Sequence, residues 1–233
     1  MGFVRRVEQH HWGVLSHASR MPQRGPSVDT LPAVDRLRLA FVPGATPDKW
    51  ARVWRERHPG LPLDLLPVEE ERQRAVLDDG TADLCIARLP VELEQPAPLH
   101  CVVLYDEQPV VVAARDHLVA AADEVTTADL DDEQLALPHP SGWRPAADQL
   151  DFPPMTARDA VEVAAAGTGV VVLPMSVARL HARKDVVQVP VTDLEPTRVA
   201  LIWLRDADSP VHQDFVGVVR GRRAGSGRGL GGR

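Results

Sequence analysis

The 233-residue sequence contains only two cysteines, Cys85 and Cys101, and both lie in apolar stretches that are typical of strands. This pattern indicates two buried thiols. The N-terminal histidines His10, His11 and His17 have no partner at a recognised metal spacing. We therefore expect neither a metal nor a cofactor.

The sequence also lacks any run of 18 or more apolar residues, so no membrane span is predicted. Its first 20 residues are interrupted by charges and lack the apolar core of a secretory signal. Both absences favour a cytoplasmic protein. A secreted solute-binding protein, one alternative, would need such a signal.

Basic residues are in the minority, since 26 Lys and Arg stand against 33 Asp and Glu, for a net charge of −7. A nucleic-acid-binding protein usually carries a basic face, so direct DNA binding is not expected. Motifs of enzymes are missing as well: there is no G-x-S-x-G, no H-E-x-x-H, no Walker loop and no G-x-G-x-x-G after a strand. His139 lies near Asp148, but no nucleophile accompanies them. The sequence therefore predicts a protein that is not an enzyme.

An alternation of strands and helices begins at Leu37. Residues 37–41 alternate in polarity as in a strand, Thr46 and Pro47 predict a helix N-cap followed by proline, and Gly80 closes a second helix. Further strands are predicted at residues 63–66 and 82–89. This order indicates an α/β fold with mainly parallel sheets, and ligands of such folds lie at the carboxyl ends of strands.

The second half of the sequence repeats this outline without repeating the residues. It predicts strands at 101–104, 110–114, 135–137, 170–173, 186–189 and 199–204, and helices that start at Thr126, Thr156, Ser176 and Ser209. Hinges are predicted near residues 108–110 and 190–194. Residues 1–36 are predicted to form a mobile arm, because proline and glycine interrupt them, and residues 223–233 a disordered Gly/Arg tail.

Four motifs in order carry a resemblance to a known family. They are LRLAFVPG in the opening strand, LDDGTADLCIARLP after the second helix, PVVVAARDHLVA at the crossover and AAAGTGVVVLPMSVARL near the end. With them, residues 37–221 resemble the effector-binding (substrate-binding) domain of LysR-type transcriptional regulators. The N-terminal helix-turn-helix of those regulators has no counterpart, because residues 1–36 are too short and too broken by proline to hold it.

The resemblance implies two Rossmann-like subdomains of the type 2 periplasmic-binding-protein fold, with a cleft between them for a small-molecule effector. Subdomain I would comprise residues 37–108 and 195–222, and subdomain II residues 109–194. It also implies a homodimer in which the first helix packs against the mate. Trp50 and Trp54, one turn apart on that helix, are predicted to lie in the dimer interface, with core packing as the alternative.

Candidate ligand-binding residues follow the predicted strands. Gly44, Ala45 and Thr46 lie between the first strand and its helix, where free N–H groups favour a polar or anionic group. Arg88 follows the third strand and could clamp a carboxylate, whereas Glu70 would repel an anion or pair with Arg88. The predicted effector is a small polar or aromatic carboxylate.

The second subdomain would contribute a loop to the cleft in this family. Pro140, Ser141 and Trp143 occupy that loop, and Thr168 lies between two glycines further on. Alternatives stay open for the whole chain. A transcription factor could bind DNA through its short basic segments, with contacts from Arg220, Arg222, Arg223 and Arg228. An enzyme on the same two-lobed fold is another alternative.

Overall fold

The computed structural model describes residues 35–221. The predicted N-terminal arm, apart from its last two residues 35 and 36, and the predicted C-terminal tail therefore lie outside the described part. Arg222, Arg223 and Arg228 lie outside it as well. None of the described helices is both long and apolar enough to cross a membrane.

Strands and helices follow the predicted order closely. The strands are β1 (Leu37–Phe41), β2 (Leu63–Pro67), β3 (Leu84–Arg88), β4 (Leu99–Glu107), β5 (Pro109–Ala114), β6 (Val171–Pro174), β7 (Val186–Pro190) and β8 (Thr197–Leu204). The helices are α1 (Asp48–Arg57), α2 (Ala75–Asp78), α3 (Ala157–Ala165), α4 (Met175–Leu180) and α5 (Pro210–Val219). The predicted strand at 135–137 is reduced to one bridge between Leu135 and Val170, and the predicted helix after Thr126 to a 3-10 turn, Ala128–Leu130.

Helix starts were predictable where a side chain caps them. The Thr156 hydroxyl accepts a hydrogen bond from the backbone N–H of Asp159, and the Asp159 carboxylate accepts one from the backbone N–H of Thr156. Ser209 caps α5, with Pro210 at the first helical position. The expected cap at Thr46 is wrong by one residue. Pro47 is the N-cap of α1 and no side chain caps that end. Its carbonyl already accepts bonds from the first helical turn, which leaves Thr46 outside the helix.

Ser176 was also placed wrongly by the sequence pattern. Helix α4 begins at Met175, directly after β6, so Ser176 lies within the first turn and does not cap it. Its hydroxyl is therefore free to contact residues outside the helix.

Two sheets form the core of the molecule, and their strand directions differ from the expectation of mainly parallel sheets. The first has the order β2-β1-β3-β8-β4, and the second the order β6-β5-β7. Only β1 pairs in parallel, with β2 and β3, and the other four pairings are antiparallel. The apolar run of β5 indicates burial on both faces, which is observed, but such a run does not encode the direction of neighbouring strands.

Each sheet has its own hydrophobic core. The faces of the five-stranded sheet pack against α1 and α5 on one side, around Trp54 and Phe215, and against α2 on the other. In the three-stranded sheet, Val110 and Val112 face α3 and α4, whereas Val111 and Ala113 face the opposite side. This alternation is the normal result of the strand period of two.

Two connections join the sheets, at the predicted hinge positions. Gln108 alone separates β4 from β5, and residues 191–196 separate β7 from β8. The connections are bonded to each other: Gln108 Nε2 donates to the carbonyl of Val191 at 2.8 Å, and the Val191 N–H donates to the Pro109 carbonyl at 3.0 Å. The carboxyl ends of β1 and β3 lie beside this crossover, because Arg88 at the end of β3 contacts both Glu107 and the Pro43 carbonyl after β1.

Candidate functional site

Arg88, the last residue of β3, is the centre of a buried polar cluster: Gln73, Arg88 and Glu107 are three of the four buried polar residues in the described part of the chain. Its side chain is only 3% exposed although it carries a full charge. Its backbone N–H and C=O are both satisfied by the buried side chain of Gln73, at 2.8 and 3.0 Å. Gln73 thus replaces a neighbouring strand where β1 has ended. Sequence reasoning missed Gln73, because nothing in the pattern shows which polar side chain completes a strand end.

All three guanidinium nitrogens of Arg88 have acceptors. Nε donates to Glu107 Oε2 at 3.0 Å, and Nη1 donates to Glu70 Oε2 at 2.6 Å. Nη2 lies 3.0 Å from Glu107 Oε2 and donates to the Pro43 carbonyl at 3.0 Å and to Ser176 Oγ at 3.3 Å. We call Arg88, Glu70, Glu107 and Ser176 the Arg88 cluster.

The two carboxylates of the cluster differ in their surroundings. Glu107 ends β4 and its side chain is 5% exposed, whereas Glu70 begins a short 3-10 turn and is 44% exposed. The Oε1 atom of Glu107 is buried without a hydrogen-bond partner in the described residues. Burial, and then the charge of Glu107, raise the pKa of nearby Tyr105, while Arg88 lowers it. The cluster therefore has acceptors and negative charge in excess.

Ser176 brings the second sheet to this cluster. It lies at the start of α4, which packs on the three-stranded sheet, and it contacts both Arg88 and Gly44 from the first sheet. Gly44 has φ +83°, and a Cβ built on it would lie 2.5 Å from Ser176 Oγ and 2.9 Å from the Ser176 carbonyl carbon. Only glycine allows this approach.

The structure thus brings together several of the predicted residues. Gly44 and the buried Ala45 form the turn after β1, in which the Ala45 N–H donates to the Val42 carbonyl, and Thr46 is exposed beside them. Of the two roles considered for Glu70, the ion pair with Arg88 is the one observed.

The predicted loop of the second sheet lies elsewhere. Ser141 pairs with His139 Nδ1 at 2.8 Å and accepts the backbone N–H of Trp143, so its hydroxyl is used within the loop, and Pro140 is exposed. Trp143 packs against the face of the three-stranded sheet that is opposite to α4. Within residues 35–221, no hydrogen bond or ion pair joins this loop to the Arg88 cluster.

Thr168 is also remote from the cluster. It is exposed, and its N–H donates to the Val163 carbonyl at the end of α3. Thr168 precedes β6. The first residue of β6 pairs with Val112, and its last residue, which is followed by α4, pairs with Pro109. Thr168 and Ser176 therefore lie at opposite ends of one strand.

The two tryptophans of α1 have different environments. Trp54 is 0% exposed, donates its indole N–H to the Leu61 carbonyl at 3.0 Å and stacks on His58. A side chain without exposed surface cannot contact a mate, so the interface interpretation is corrected to core packing for Trp54. Trp50 is half-buried, and its predicted dimer contact remains a prediction.

The chain matches the family model described as "LysR substrate binding domain" over residues 32–224. It is 30% identical, over 175 residues, to a "Probable hydrogen peroxide-inducible genes activator" of Mycobacterium avium; the match covers 68% of this chain and 54% of that protein. The chain thus spans about half the length of this curated relative.

Solved structures with the same fold include effector-binding domains. The "BenM effector binding domain with its effector benzoate" is 20% identical, with a TM-score of 0.65, over 81% of this chain and 92% of that one. Full-length CbnR "complexed with the target DNA complex" is 19% identical, with a TM-score of 0.60, over 80% of this chain and 70% of that one. These likenesses show the two-lobed, type 2 periplasmic-binding-protein-like fold. With the family match over most of its length, this chain belongs to the LysR substrate-binding domain family.

Proposed function

We propose that this chain is the effector-sensing part of a transcriptional regulator and closes on a small polar ligand between its two sheets. The observation that carries the proposal is the contact of Arg88 and Gly44, at the carboxyl ends of β3 and β1, with Ser176 on the other sheet. Because both connections between the sheets lie nearby, separation and closure of the sheets would open and bury this site.

The boundaries predicted from the sequence belong to the same proposal. Residues 37–108 with 195–222, and residues 109–194, would move as two bodies about Gln108 and the segment 191–196. Separate hydrophobic cores on the two sheets support this division. Ligand binding would then bias the equilibrium between open and closed arrangements.

Regulation of transcription, a homodimer through α1 and a cytoplasmic location are proposals for the protein as a whole. The match to LysR-type relatives supports them. Of the two tryptophans predicted to lie in the dimer interface, half-buried Trp50 remains available for the partner subunit.

A thermal-shift screen tests the sensing function. The panel holds aromatic and short carboxylic acids, amines, amino acids and sugars. A ligand at about 100 times its Kd is expected to add roughly 2.7 kcal/mol to the free energy of unfolding, which is readily measured as a rise in Tm. Ser176→Ala is expected to weaken binding of the hit several-fold, and Thr81→Ala, an exposed hydroxyl on a turn, to leave it unchanged. No stabilisation by any compound would contradict the proposed function.

A response to peroxide is the alternative suggested by the name of the Mycobacterium avium relative, and it would require a reactive thiolate. Cys85 and Cys101 both pair with Ile202, on opposite sides of β8, which puts them two strand spacings or about 9–10 Å apart. That separation is too long for a disulfide. Burial raises the pKa of Cys85 to about 12 and also raises that of Cys101.

The two thiols are accordingly expected to resist oxidation. At pH 8 the thiolate fraction of Cys85 is about 10⁻⁴, against roughly a quarter for a free cysteine. Iodoacetamide alkylation of the folded chain, followed by mass spectrometry, should label Cys85 far more slowly than in urea, and Cys101 at an intermediate rate. Rapid labelling of folded Cys85, or its oxidation by micromolar peroxide, would favour the peroxide alternative.

A further inference from the structure

We propose that the Arg88 cluster is a subsite for a cationic nitrogen group of the effector, such as an ammonium or amidinium, and not the carboxylate clamp expected from Arg88 alone. This inference rests on the proposed sensing function and specifies the chemistry of the same site. It concerns the group of the ligand that reaches Arg88, whatever the rest of the ligand carries.

Arg88 has too few free donors to clamp a carboxylate. Of its five guanidinium N–H groups, the Nε–H, one on Nη1 and both on Nη2 already donate to acceptors of the protein. A bidentate carboxylate needs two free N–H groups, and among the described residues only the second one on Nη1 is left. Glu107 is held at the end of β4 with its side chain 5% exposed, so it cannot swing away to release Arg88. An incoming anion would therefore compete with an intact buried ion pair.

Two carboxylates face one guanidinium, which leaves the cluster with a formal charge of −1. Water is largely excluded from Arg88 and Glu107, whereas Glu70 is partly exposed. An added anion would increase the negative charge, whereas a cation would cancel it. Coulombic attraction at such short range is much stronger than in water.

One acceptor of the cluster has no partner among the described residues. Glu107 is more than nine-tenths buried, and its Oε1 has no hydrogen bond in the described part of the chain, while Oε2 of the same carboxylate holds Arg88. A buried carboxylate oxygen left unpaired is costly. An N–H donor of a ligand placed at Glu107 Oε1 would satisfy it.

Access to this position requires movement of the sheets. Gly44 and Ser176 are in contact in this arrangement, and Glu107 Oε1 has no exposed surface. The ligand would enter when the two sheets separate about Gln108 and residues 191–196, and closure would bury its cationic group against Glu107. Partial exposure of Glu70 gives the cluster one carboxylate that can adjust to the ligand.

Three probes of equal ring size separate the possibilities: benzylamine, benzyl alcohol and benzoate, each titrated into the purified chain by calorimetry. We expect benzylamine to bind most tightly, with affinity roughly tenfold or more above that of the other two, as for charge-assisted hydrogen bonds. Glu107→Gln and Glu70→Gln should each lower the affinity for benzylamine roughly tenfold. Glu70→Gln is the variant of the two that is expected to leave folding unchanged. Glu71→Gln is the matched control, because Glu71 is the exposed neighbour that makes no contact with Arg88.

The possible failures are distinguishable. Preferential binding of benzoate, or binding of benzylamine that neither glutamate variant weakens, would overturn the cationic subsite and leave the sensing function standing. A thermal shift by other compounds of the wider panel without any binding of benzylamine would do the same. Absence of binding across the whole panel would contradict the sensing function and this inference with it.

Discussion

Replacement of Arg88 by methionine is expected to lower the free energy of unfolding by about 3–5 kcal/mol, the largest stability effect of any single substitution in the cluster. Methionine keeps the length and much of the apolar surface of the side chain but removes the charge. Glu107, 5% exposed, would then be a buried carboxylate without a counter-ion. Glu70 contributes little to this loss, because it is 44% exposed and water solvates it.

Urea unfolding followed by circular dichroism measures the loss. Arg52→Met is the control: Arg52 is 69% exposed and pairs with Glu56 on the surface of α1, so its replacement should change stability by less than about 0.5 kcal/mol. The double variant Arg88→Met with Glu107→Gln should recover part of the loss, since both charges are then absent. A single variant as stable as the parent chain would refute the buried ion pair as a structural element.

Elements with local signals were predictable from the sequence. A capping box at Thr156, the cap and proline at Ser209 and Pro210, and the periodic apolar residues of β1 act within one turn or one strand, so the residues themselves specify them. Strand direction was not predictable. The apolar run of β5 specifies burial on both faces. The antiparallel direction of its partners β6 and β7 depends on the path of chain segments that are distant in the sequence.

The candidate site divides in the same way. Arg88, Glu70 and Gly44 were predictable because they follow strands, and strand ends gather at one edge of a sheet. Glu107, Gln73 and Ser176 were missed because their roles depend on pairings across 19, 15 and 88 residues. The charge of the ligand group that the site would prefer depends on the missed residues. Arg88 alone, as read in the sequence, suggests an anionic group, whereas Arg88 with two carboxylates favours a cationic one.

Replacement of Gly44 by alanine is expected to impair closure of the two sheets more than it impairs folding. Two costs combine at this position: the left-handed backbone, φ +83°, and the overlap of a Cβ with Ser176 at 2.5–3.0 Å. The backbone cost alone is about 1–2 kcal/mol. Gly80→Ala isolates it, because Gly80 has φ +69° with no atom near the added Cβ.

The overlap of the added Cβ with Ser176 is relieved when the two sheets separate. Each sheet can stay folded on its own in that arrangement, because Trp54 and Val112 belong to separate hydrophobic cores. Both alanine variants should therefore lose about 1–2 kcal/mol in urea unfolding. The affinity for a ligand found in the screen should fall by tenfold or more, or about 1.4 kcal/mol, for Gly44→Ala only. Equal affinities in the two variants would mean that the ligand binds without the Gly44–Ser176 contact, and would move the sensing site away from the carboxyl ends of β1 and β3.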